Sequence, residues 1–279
     1  MDIKKLLHKH GFYFKKAYGQ NFLTDEALLD DIVTSSGITS SDTVIEIGCG
    51  AGTLTRSIAK KAGKVIGYEI DLKLKEILAE MLADFDNTEI IFEDIMKQKM
   101  ADFEKDFKDG YFVVANLPYY ITTPILMKFI EEAKYVKGLV LTVQKEVAER
   151  LASKENTSDY GAITAMVNLV GDAEITKIIT RDKFLPPPNV DSAVVKIVIN
   201  RDKFTLKSID TYRECVRIAF GNRRKTLCNN LMTGLGLKRD KAEEILTACD
   251  IPLLARGETL SAEKFVCLSD YIYEMKRGK

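Results

Sequence analysis

The chain has 279 residues, of which 46% are hydrophobic and 29% are charged, so it can bury a core of ordinary size. This composition excludes a disordered chain, a collagen and a small disulfide-stapled domain. No apolar run approaches the roughly 18 residues that a membrane-spanning helix requires. Residues 1–16 lack the apolar core and cleavage site of a signal peptide. The sequence therefore predicts a cytoplasmic protein with no membrane partner.

Cysteine and histidine are sparse and poorly spaced for metal binding or covalent catalysis. The five cysteines form no C-x-x-C pair, and the only histidines are His8 and His10. The sequence therefore predicts no metal site and no histidine-based catalytic triad. Chemistry in the main fold must proceed without an imidazole.

Charge is balanced overall, with 41 basic and 41 acidic side chains, but it is unevenly distributed. Residues 1–18 carry five lysines against one acid, residues 19–200 have a net charge of −9, and residues 201–279 have a net charge of +5. Two basic regions around an acidic middle suit a polyanionic partner. On this count alone, ordinary solvated surface charge is the simpler explanation.

Short apolar runs alternate with helical periods between about Thr43 and Gln144, which is typical of β-α-β units in a parallel sheet. The predicted strands cover residues 44–47, 65–69, 90–92, 112–115, 139–143 and, after a long interval, 193–199. From Ser208 onward the pattern is helical. We expect an α/β fold in which residues 1–203 form a Rossmann-like domain with helices on both faces of its sheet and a basic N-terminal arm. Residues 204–279 are expected to form a small all-α domain that binds RNA.

A glycine-rich turn, Glu46 to Gly52, follows the first predicted strand. Glycines let a ligand approach the backbone closely, and open α/β sheets bind ligands at the carboxyl ends of their strands. Glu69 ends the second strand and can accept hydrogen bonds from both hydroxyls of a ribose. Asp94 follows the third strand and can meet an adenine edge. These residues predict a cofactor containing a nucleoside, although a tight turn and solvated strand ends would also explain them.

Two cofactors compete for this turn. A dinucleotide fingerprint reads G-x-G-x-x-G, whereas here Gly52 arrives one residue early and Glu46 lies two residues before the first glycine. This spacing resembles the S-adenosylmethionine loop of class I methyltransferases. That cofactor carries an ammonium and a sulfonium but no phosphate, so an acidic surrounding favours it. S-adenosylmethionine is the expected cofactor, and a nicotinamide-dependent dehydrogenase is disfavoured.

The tetrapeptide Asn116-Leu117-Pro118-Tyr119 follows the fourth strand, where Asn and Pro are both unusual. It resembles the (N/D)-x-P-(Y/F) signature of methyltransferases that act on exocyclic amines of nucleobases. The side-chain oxygen of Asn116 and the carbonyl of Pro118 can accept the two amine hydrogens and aim the nitrogen lone pair at a methyl group. Tyr119 offers a face for a base taken out of its helix. A turn with a structural proline is the alternative.

These motifs make the chain similar to the KsgA-type ribosomal RNA adenine N6-dimethyltransferases over nearly its whole length. Further matching stretches are GQNFL from Gly19, FLPPPNVDSA from Phe184 and FGNRRKTL from Phe220. One departure is Glu93 before Asp94, where many relatives have glycine. The sequence leaves open whether Glu93 faces the adenine pocket.

The resemblance implies a cofactor site of eight residues, namely Gln20, Asn21, Leu23, Gly48, Gly50, Glu69, Asp94 and Asn116. The first three are expected to cap the pocket, Gly48 to lie under the methionine portion, Glu69 to hold the ribose and Asp94 the adenine. The catalytic residues implied are Asn116 at the acceptor amine, Pro118, Tyr119 and, as a second stacking surface, Phe184.

The substrate that the resemblance implies is a pair of neighbouring adenosines in a hairpin loop near the 3′ end of small-subunit (16S) rRNA. Each adenosine receives two methyl groups, and the expected partner is the immature small ribosomal subunit, bound by a monomeric enzyme. The alternatives are an erythromycin-resistance-type enzyme acting on 23S rRNA and a protein that serves mainly as an assembly-binding factor. A DNA adenine methyltransferase is disfavoured.

Basic residues near the C-terminus suggest an RNA-binding surface. Arg213, Arg217 and Arg224 have helical spacing, and Arg223 and Lys225 flank the last of them. Such a stripe suits phosphate contacts, and a charged helix surface explains it equally well. The apolar positions in this region are expected to be core, namely Cys215, Ile218 and Leu227.

Overall fold

The computed structural model describes residues 3–14 and 21–278, which form two compact units. The first unit contains the described residues through Ala148 together with Glu174–Ile199. The second contains Glu149–Ala173 and the described residues from Asn200 onward.

Strands β1 to β9 occupy the described residues as follows: β1 Phe22–Leu23, β2 Thr43–Ile47, β3 Lys64–Tyr68, β4 Thr88–Ile91, β5 Tyr111–Asn116, β6 Val136–Gln144, β7 Gly171–Ile179, β8 Phe184–Leu185 and β9 Ser192–Ile199. Seven of them form one sheet in the order β4-β3-β2-β5-β6-β9-β7. Strands β2 to β6 run parallel, and β9 runs antiparallel to β6. The short strands β1 and β8 pair antiparallel. The predicted α/β architecture with a mostly parallel sheet is confirmed.

Helices α1 to α12 of the described residues are α1 Ile3–Lys9, α2 Glu26–Ser36, α3 Thr53–Ala59, α4 Lys75–Met81, α5 Met100–Phe103, α6 Tyr119–Glu132, α7 Lys145–Leu151, α8 Ala162–Val170, α9 Ile209–Phe220, α10 Leu227–Leu235, α11 Arg239–Ala248 and α12 Ala262–Arg277. The chain is helical after Ser208, as its periodicity predicts. None of these helices is both long and apolar enough to cross a membrane.

One face of the seven-stranded sheet presents valines from five neighbouring strands. These are Val44, Val65, Val114, Val140 and Val194, all buried in one cluster. The inward face of α2 and residues of α3 complete the cluster. Helix α2 begins at the cap Asp25, whose carboxylate accepts the Leu28 N–H, and ends at Gly37 in the left-handed region. This packing fixes the strands, and therefore the line along which their carboxyl ends meet.

The second unit contains residues 149–173, which the sequence-based boundary assigns to the first domain. The predicted ranges, 1–203 and 204–279, placed residues 149–173 in the first domain, whereas this segment packs with the C-terminal helices. Helix α8 contacts α9 and α12, and the Tyr212 hydroxyl donates to the carbonyl of Ala165. Helix α8 is short and buried over most of its length, and its sequence pattern does not indicate which distant helices it packs against.

The predicted basic stripe is not continuous. Helix α9 ends at Phe220, and Arg224 lies in the following turn, where the Lys225 N–H donates to the carbonyl of Asn222. Arg224 therefore does not share a helix face with Arg213 and Arg217. The three apolar positions predicted as core are buried, namely Cys215, Ile218 and Leu227.

Arg223 and Arg224 have different environments although they are neighbours. The guanidinium of Arg223 donates to the carbonyls of Ser158 at 2.7 Å and Tyr160 at 3.0 Å, whereas the side chain of Arg224, exposed like that of Arg223, has no hydrogen-bond partner among the described residues. We expect Arg223→Ala to lower the free energy of unfolding by about 1–2 kcal/mol, because two charge-assisted hydrogen bonds are lost. The matched variant Arg224→Ala should change it by less than about 0.5 kcal/mol. Denaturant unfolding followed by circular dichroism tests this, and equal stabilities of the two variants would contradict it.

Candidate functional site

A pocket opens in the first unit where parallel strands β2, β3 and β5 end. The carboxyl ends of parallel strands meet at one edge of a sheet, which is where open α/β folds bind ligands. The predicted site residues that line the pocket are Asn21, Gly48, Gly50, Glu69, Asp94, Asn116 and Pro118. The structure therefore brings together most of the residues that the sequence singled out, from five separate segments.

The glycine turn after β2 forms the floor of the pocket. Gly48, Gly50 and Gly52 all have positive φ, at 77°, 54° and 81°, a conformation that side chains with a Cβ rarely adopt. A Cβ on Gly48 would lie 2.9 Å from the Leu117 side chain, and one on Gly50 would lie 2.8 Å from the Phe22 ring. The turn thus presents only backbone atoms to a ligand, while the side chains of Leu117 and Phe22 pack against the turn.

Glu69 is held beside this turn by backbone hydrogen bonds. One carboxylate oxygen, Oε2, accepts the Gly50 N–H at 2.9 Å, and the other, Oε1, accepts the N–H groups of Ile70 and Asp71 at 2.7 and 2.8 Å. Burial raises the pKa of Glu69, and the three backbone donors oppose that rise. Both lone-pair positions of Oε1 are taken, whereas Oε2 keeps one position for a ligand hydroxyl.

Glu46, at the end of β2, is a pocket residue whose individual role the sequence did not indicate. It is fully buried, and its Oε2 has no hydrogen-bond partner among the described residues. Burial, with the nearby charge of Glu69 adding to it, raises the pKa of Glu46 to about 8. Glu46 is therefore a largely protonated carboxyl group at neutral pH, and a nearby positive charge would favour its carboxylate form.

The two acids that follow β4, Glu93 and Asp94, differ in exposure. Asp94 is half-buried and accepts the Met96 N–H at 2.9 Å, which starts the short 3-10 helix Ile95–Lys97. Glu93 also lines the pocket, but it is exposed and its carboxylate accepts a hydrogen bond from the Gln98 side chain. Glu93 is therefore at the rim, with its charge directed to Gln98.

The N-terminal segment reaches the pocket through Asn21 and Phe22. Gln20 lies outside the described residues. Leu23, predicted to cap the pocket, is instead buried in the core cluster under the sheet face. This correction has a simple cause, because successive side chains of a strand point to opposite sides and Phe22 takes the pocket side of β1.

Asn116 ends β5 and is half-buried in the pocket. Its amide nitrogen donates to the carbonyl of Asn21 at 3.2 Å. With the amide oriented in this way, the side-chain oxygen Oδ1 remains an acceptor. Asn21 therefore contributes its backbone as well as its place in the lining.

Pro118 does not offer the carbonyl that the sequence suggested. Its oxygen accepts the Ile121 N–H at 3.1 Å and the Thr122 hydroxyl at 3.3 Å, both within the first turn of α6. Both of its lone-pair positions are thus occupied. Leu117, the preceding residue, also lines the pocket. Its carbonyl is the better candidate for a second acceptor, because no described group donates to it.

The two aromatic side chains predicted to stack on a base lie beside the pocket rather than in its wall. Tyr119 is half-buried, and its hydroxyl is 2.8 Å from the hydroxyl of the buried Ser192. Phe184 pairs opposite Leu23 and is buried with it. An aromatic residue that the sequence analysis passed over, Tyr120, does line the pocket and is 66% exposed.

Titratable groups are otherwise few near the pocket. Over residues 3–14 and 21–278, no cluster of three or more His, Cys, Asp and Glu side chains could hold a metal ion. His10 lies on the N-terminal segment, where it contacts Glu76 and Glu80.

The chain is similar to known proteins over nearly its whole length. A family model described as "Ribosomal RNA adenine dimethylase" matches residues 11–268. The chain belongs to the ribosomal RNA adenine dimethylase family. Proteins named ribosomal RNA small subunit methyltransferase A are similar over nearly the full length: that of Clostridioides difficile (strain 630) is 46% identical over 273 residues, covering 96% of this chain and 94% of the relative. That of Geobacillus thermodenitrificans (strain NG80-2) is 42% identical over 281 residues, covering 98% and 96%.

Solved structures agree with this membership. A dimethyladenosine transferase from Plasmodium falciparum has a TM-score of 0.77 and 28% identity, covering 92% of this chain and 98% of that chain. The 23S rRNA methyltransferase ErmE has a TM-score of 0.68 and 25% identity, covering 90% and 98%. The predicted class I methyltransferase fold, the enzyme class and S-adenosylmethionine as cofactor are confirmed for this member of the family.

The buried Glu46 predicts a pH dependence of stability. Its pKa is about 8 in the folded protein and near 4.5 when exposed, so the native state holds a proton that the unfolded state has lost between these values. Stability therefore falls as pH rises through this window. Relative to Glu46→Gln, the wild-type protein should lose roughly 3 kcal/mol between pH 5.5 and 8.

Urea unfolding at several pH values measures this difference. The variant Glu174→Gln, at an exposed acid, is the matched control and should keep the wild-type slope. If Glu46→Gln kept that slope too, Glu46 would be ionised in the folded protein at neutral pH and this interpretation would be wrong.

Proposed function

We propose that this protein transfers methyl groups from S-adenosylmethionine to the N6 atoms of two adjacent adenosines in the 3′-terminal hairpin loop of small-subunit rRNA. The observation that carries the proposal is that Asn116 shares one pocket with the glycine turn and Glu69. The names of the relatives at 42–46% identity support the small subunit as the source of the substrate.

The residues of the pocket suit a cationic nucleoside cofactor. The glycine turn lines the pocket with backbone at Gly48 and Gly50, and the buried Oε2 of Glu46 lacks a partner in the described chain. When bound, S-adenosylmethionine supplies an electrophilic methyl group and leaves as a neutral thioether. Glu46 and Glu69 would favour its positive charge, and Asp94 would meet its adenine ring.

Glu69 is proposed to hold the ribose. Its Oε2 has one position left after accepting the Gly50 N–H, and its Oε1 is fixed by two further backbone groups. The carboxylate therefore needs no rearrangement to accept a hydroxyl hydrogen. Gly48 and Gly50 line the pocket in which the remainder of the cofactor would lie, and the absence of a Cβ lets Leu117 and Phe22 pack against the turn.

Asn116 is proposed to orient the acceptor amine. The carbonyl of Asn21 holds its amide group so that Oδ1 can accept one N6 hydrogen. The carbonyl of Leu117 is proposed to accept the second hydrogen, because that of Pro118 is occupied by α6. Two acceptors at fixed positions withdraw the amine hydrogens from the base plane and direct the nitrogen lone pair toward the methyl group.

Tyr119 and Phe184 are proposed to bound the space for the target base. Tyr119 is anchored by Ser192, so its ring orientation is set before the base arrives. Phe184 is buried with Leu23 in the core cluster and held by the pairing of β8 with β1, so it is proposed to support this space from behind and not to present a face to the base. An aromatic ring in a fixed orientation, such as that of Tyr119, is suited to a base that has left its stack.

The partner is proposed to be the immature small subunit, bound by a monomer in the cytoplasm. In the second unit, exposed cations at Arg217, Arg224 and Lys225 suit phosphate contacts, while Arg223 is engaged with backbone carbonyls. The net charge of +5 over residues 201–279 has the sign that such contacts need.

Methyl transfer to ribosomal particles tests the proposed reaction. Small-subunit particles and large-subunit rRNA from a strain lacking the enzyme are incubated with labelled cofactor, and the modified bases are mapped. We expect dimethyladenosine at two adjacent small-subunit positions. Asn116→Ala should reduce the rate about 10²- to 10³-fold because the acceptor that orients the amine is lost, while Glu69 and the glycine turn still bind the cofactor. A single modified adenosine in large-subunit rRNA, or no transfer to either substrate, would overturn the proposal.

The role of Glu69 is tested with a cofactor analogue. Wild-type protein should bind S-adenosylhomocysteine about tenfold more tightly than its 2′-deoxy analogue, because one hydrogen bond to a carboxylate is lost. In Glu69→Gln this ratio should fall toward one. Glu93→Gln, at the rim of the same pocket, is the control and should keep the wild-type ratio. Calorimetric titration gives both constants, and a ratio unaffected by Glu69→Gln would assign the ribose to another group.

A further inference from the structure

Two adjacent tyrosines at the start of α6 have opposite environments. Tyr119 is half-buried and hydrogen bonded to Ser192. Tyr120 is 66% exposed although it lines the pocket. Within the described chain, its hydroxyl has no hydrogen-bond partner and its ring makes no aromatic contact. A large aromatic side chain is thus left uncovered at the mouth of the site.

The backbone beneath Tyr120 is fixed. The Pro118 carbonyl accepts hydrogen bonds from Ile121 and Thr122, which close the first turn of α6 around Tyr120. The next apolar residues of that helix, Ile121 and Ile125, line the pocket and hold the helix against it. The ring therefore extends from a rigid support, and its position at the mouth does not depend on a loop.

A substrate base that enters this pocket brings its neighbours to the mouth. The sugar-phosphate chain continues on both sides of the target nucleotide, so an adjacent base must lie within reach of the rim. In a hairpin loop that base is unpaired and exposes a π face, which aromatic side chains bind with little sequence preference. Tyr120 presents the matching face at that place.

We propose that Tyr120 stacks on the unpaired adenosine next to the one whose amine lies at Asn116, and so keeps the second substrate base at the site while the first is methylated. This inference rests on the proposed function. It makes Tyr120 a positioning residue for the RNA, distinct in role from Tyr119, whose hydroxyl is committed to Ser192.

The test uses small-subunit particles lacking the modification, with the extent of methylation measured separately at each adenosine. Tyr120→Ala and Tyr120→Leu should raise the KM for particles about tenfold and increase the share of particles dimethylated at only one position. Tyr120→Phe keeps the ring and should behave as wild type. The Kd for S-adenosylhomocysteine should change less than twofold in all three variants. Tyr135→Ala removes a 37% exposed ring that does not line the pocket, and it should have no effect.

Three outcomes would overturn the inference. Unchanged KM and unchanged product distribution in Tyr120→Ala would mean that the ring does not contact the RNA. A tenfold weaker Kd for S-adenosylhomocysteine would make Tyr120 a cofactor contact. Rescue by Leu as well as by Phe would show that apolar bulk, and not a π face, is required. Failure of the wild-type protein itself to dimethylate the particles would instead refute the proposed function.

Discussion

The hydrogen bond from the Gly50 N–H to Glu69 is the interaction on which the site depends. It joins the turn after β2 to the end of β3, two segments that are neighbours only because their strands run parallel. The turn can adopt its conformation because glycines occupy its three positions with positive φ. The carboxylate of Glu69 can be buried because backbone N–H groups donate hydrogen bonds to it. Each half of the pocket floor therefore stabilises the other, and neither would hold its geometry alone.

Burial of acids is the main electrostatic cost of this arrangement. Glu46 and Glu69 are both buried, and burial raises the pKa of each. Such a cost is typical of a functional site, since a stable core would place apolar residues there. A ligand with positive charge offsets it, whereas a dinucleotide with a pyrophosphate would increase it. The family's cofactor is thus the one that the acids of the pocket electrostatically favour.

Features that depend on local sequence were predicted better than contacts that depend on other parts of the fold. Six strands, the glycine turn and the acids after β3 and β4 follow from apolar runs and the residues that end them, and these lie where the sequence indicates, whereas β1, β7 and β8 were not predicted. Leu23 was misplaced because a two-residue strand has no period from which to choose its inward side. The Pro118 carbonyl was misassigned because its donors come from the helix that begins at the next residue. Tyr120 was overlooked because exposure depends on helix phase, which the motif does not specify.

The pairing of β1 with β8 connects the segment of Asn21 and Phe22, which lines the pocket, to the segment that carries Phe184. In this register Phe22 lies opposite Leu185 and Leu23 opposite Phe184, while Lys183 forms an ion pair with Asp25. The segment that carries Asn21 into the cofactor pocket is therefore bonded to the segment that carries Phe184. Asn21 also holds the amide of Asn116. A shift of Asn21 and Phe22 would consequently move the pocket wall, the amide of Asn116 and Phe184 together. The proposed cofactor site and the proposed base site are in this way held by one set of bonded segments.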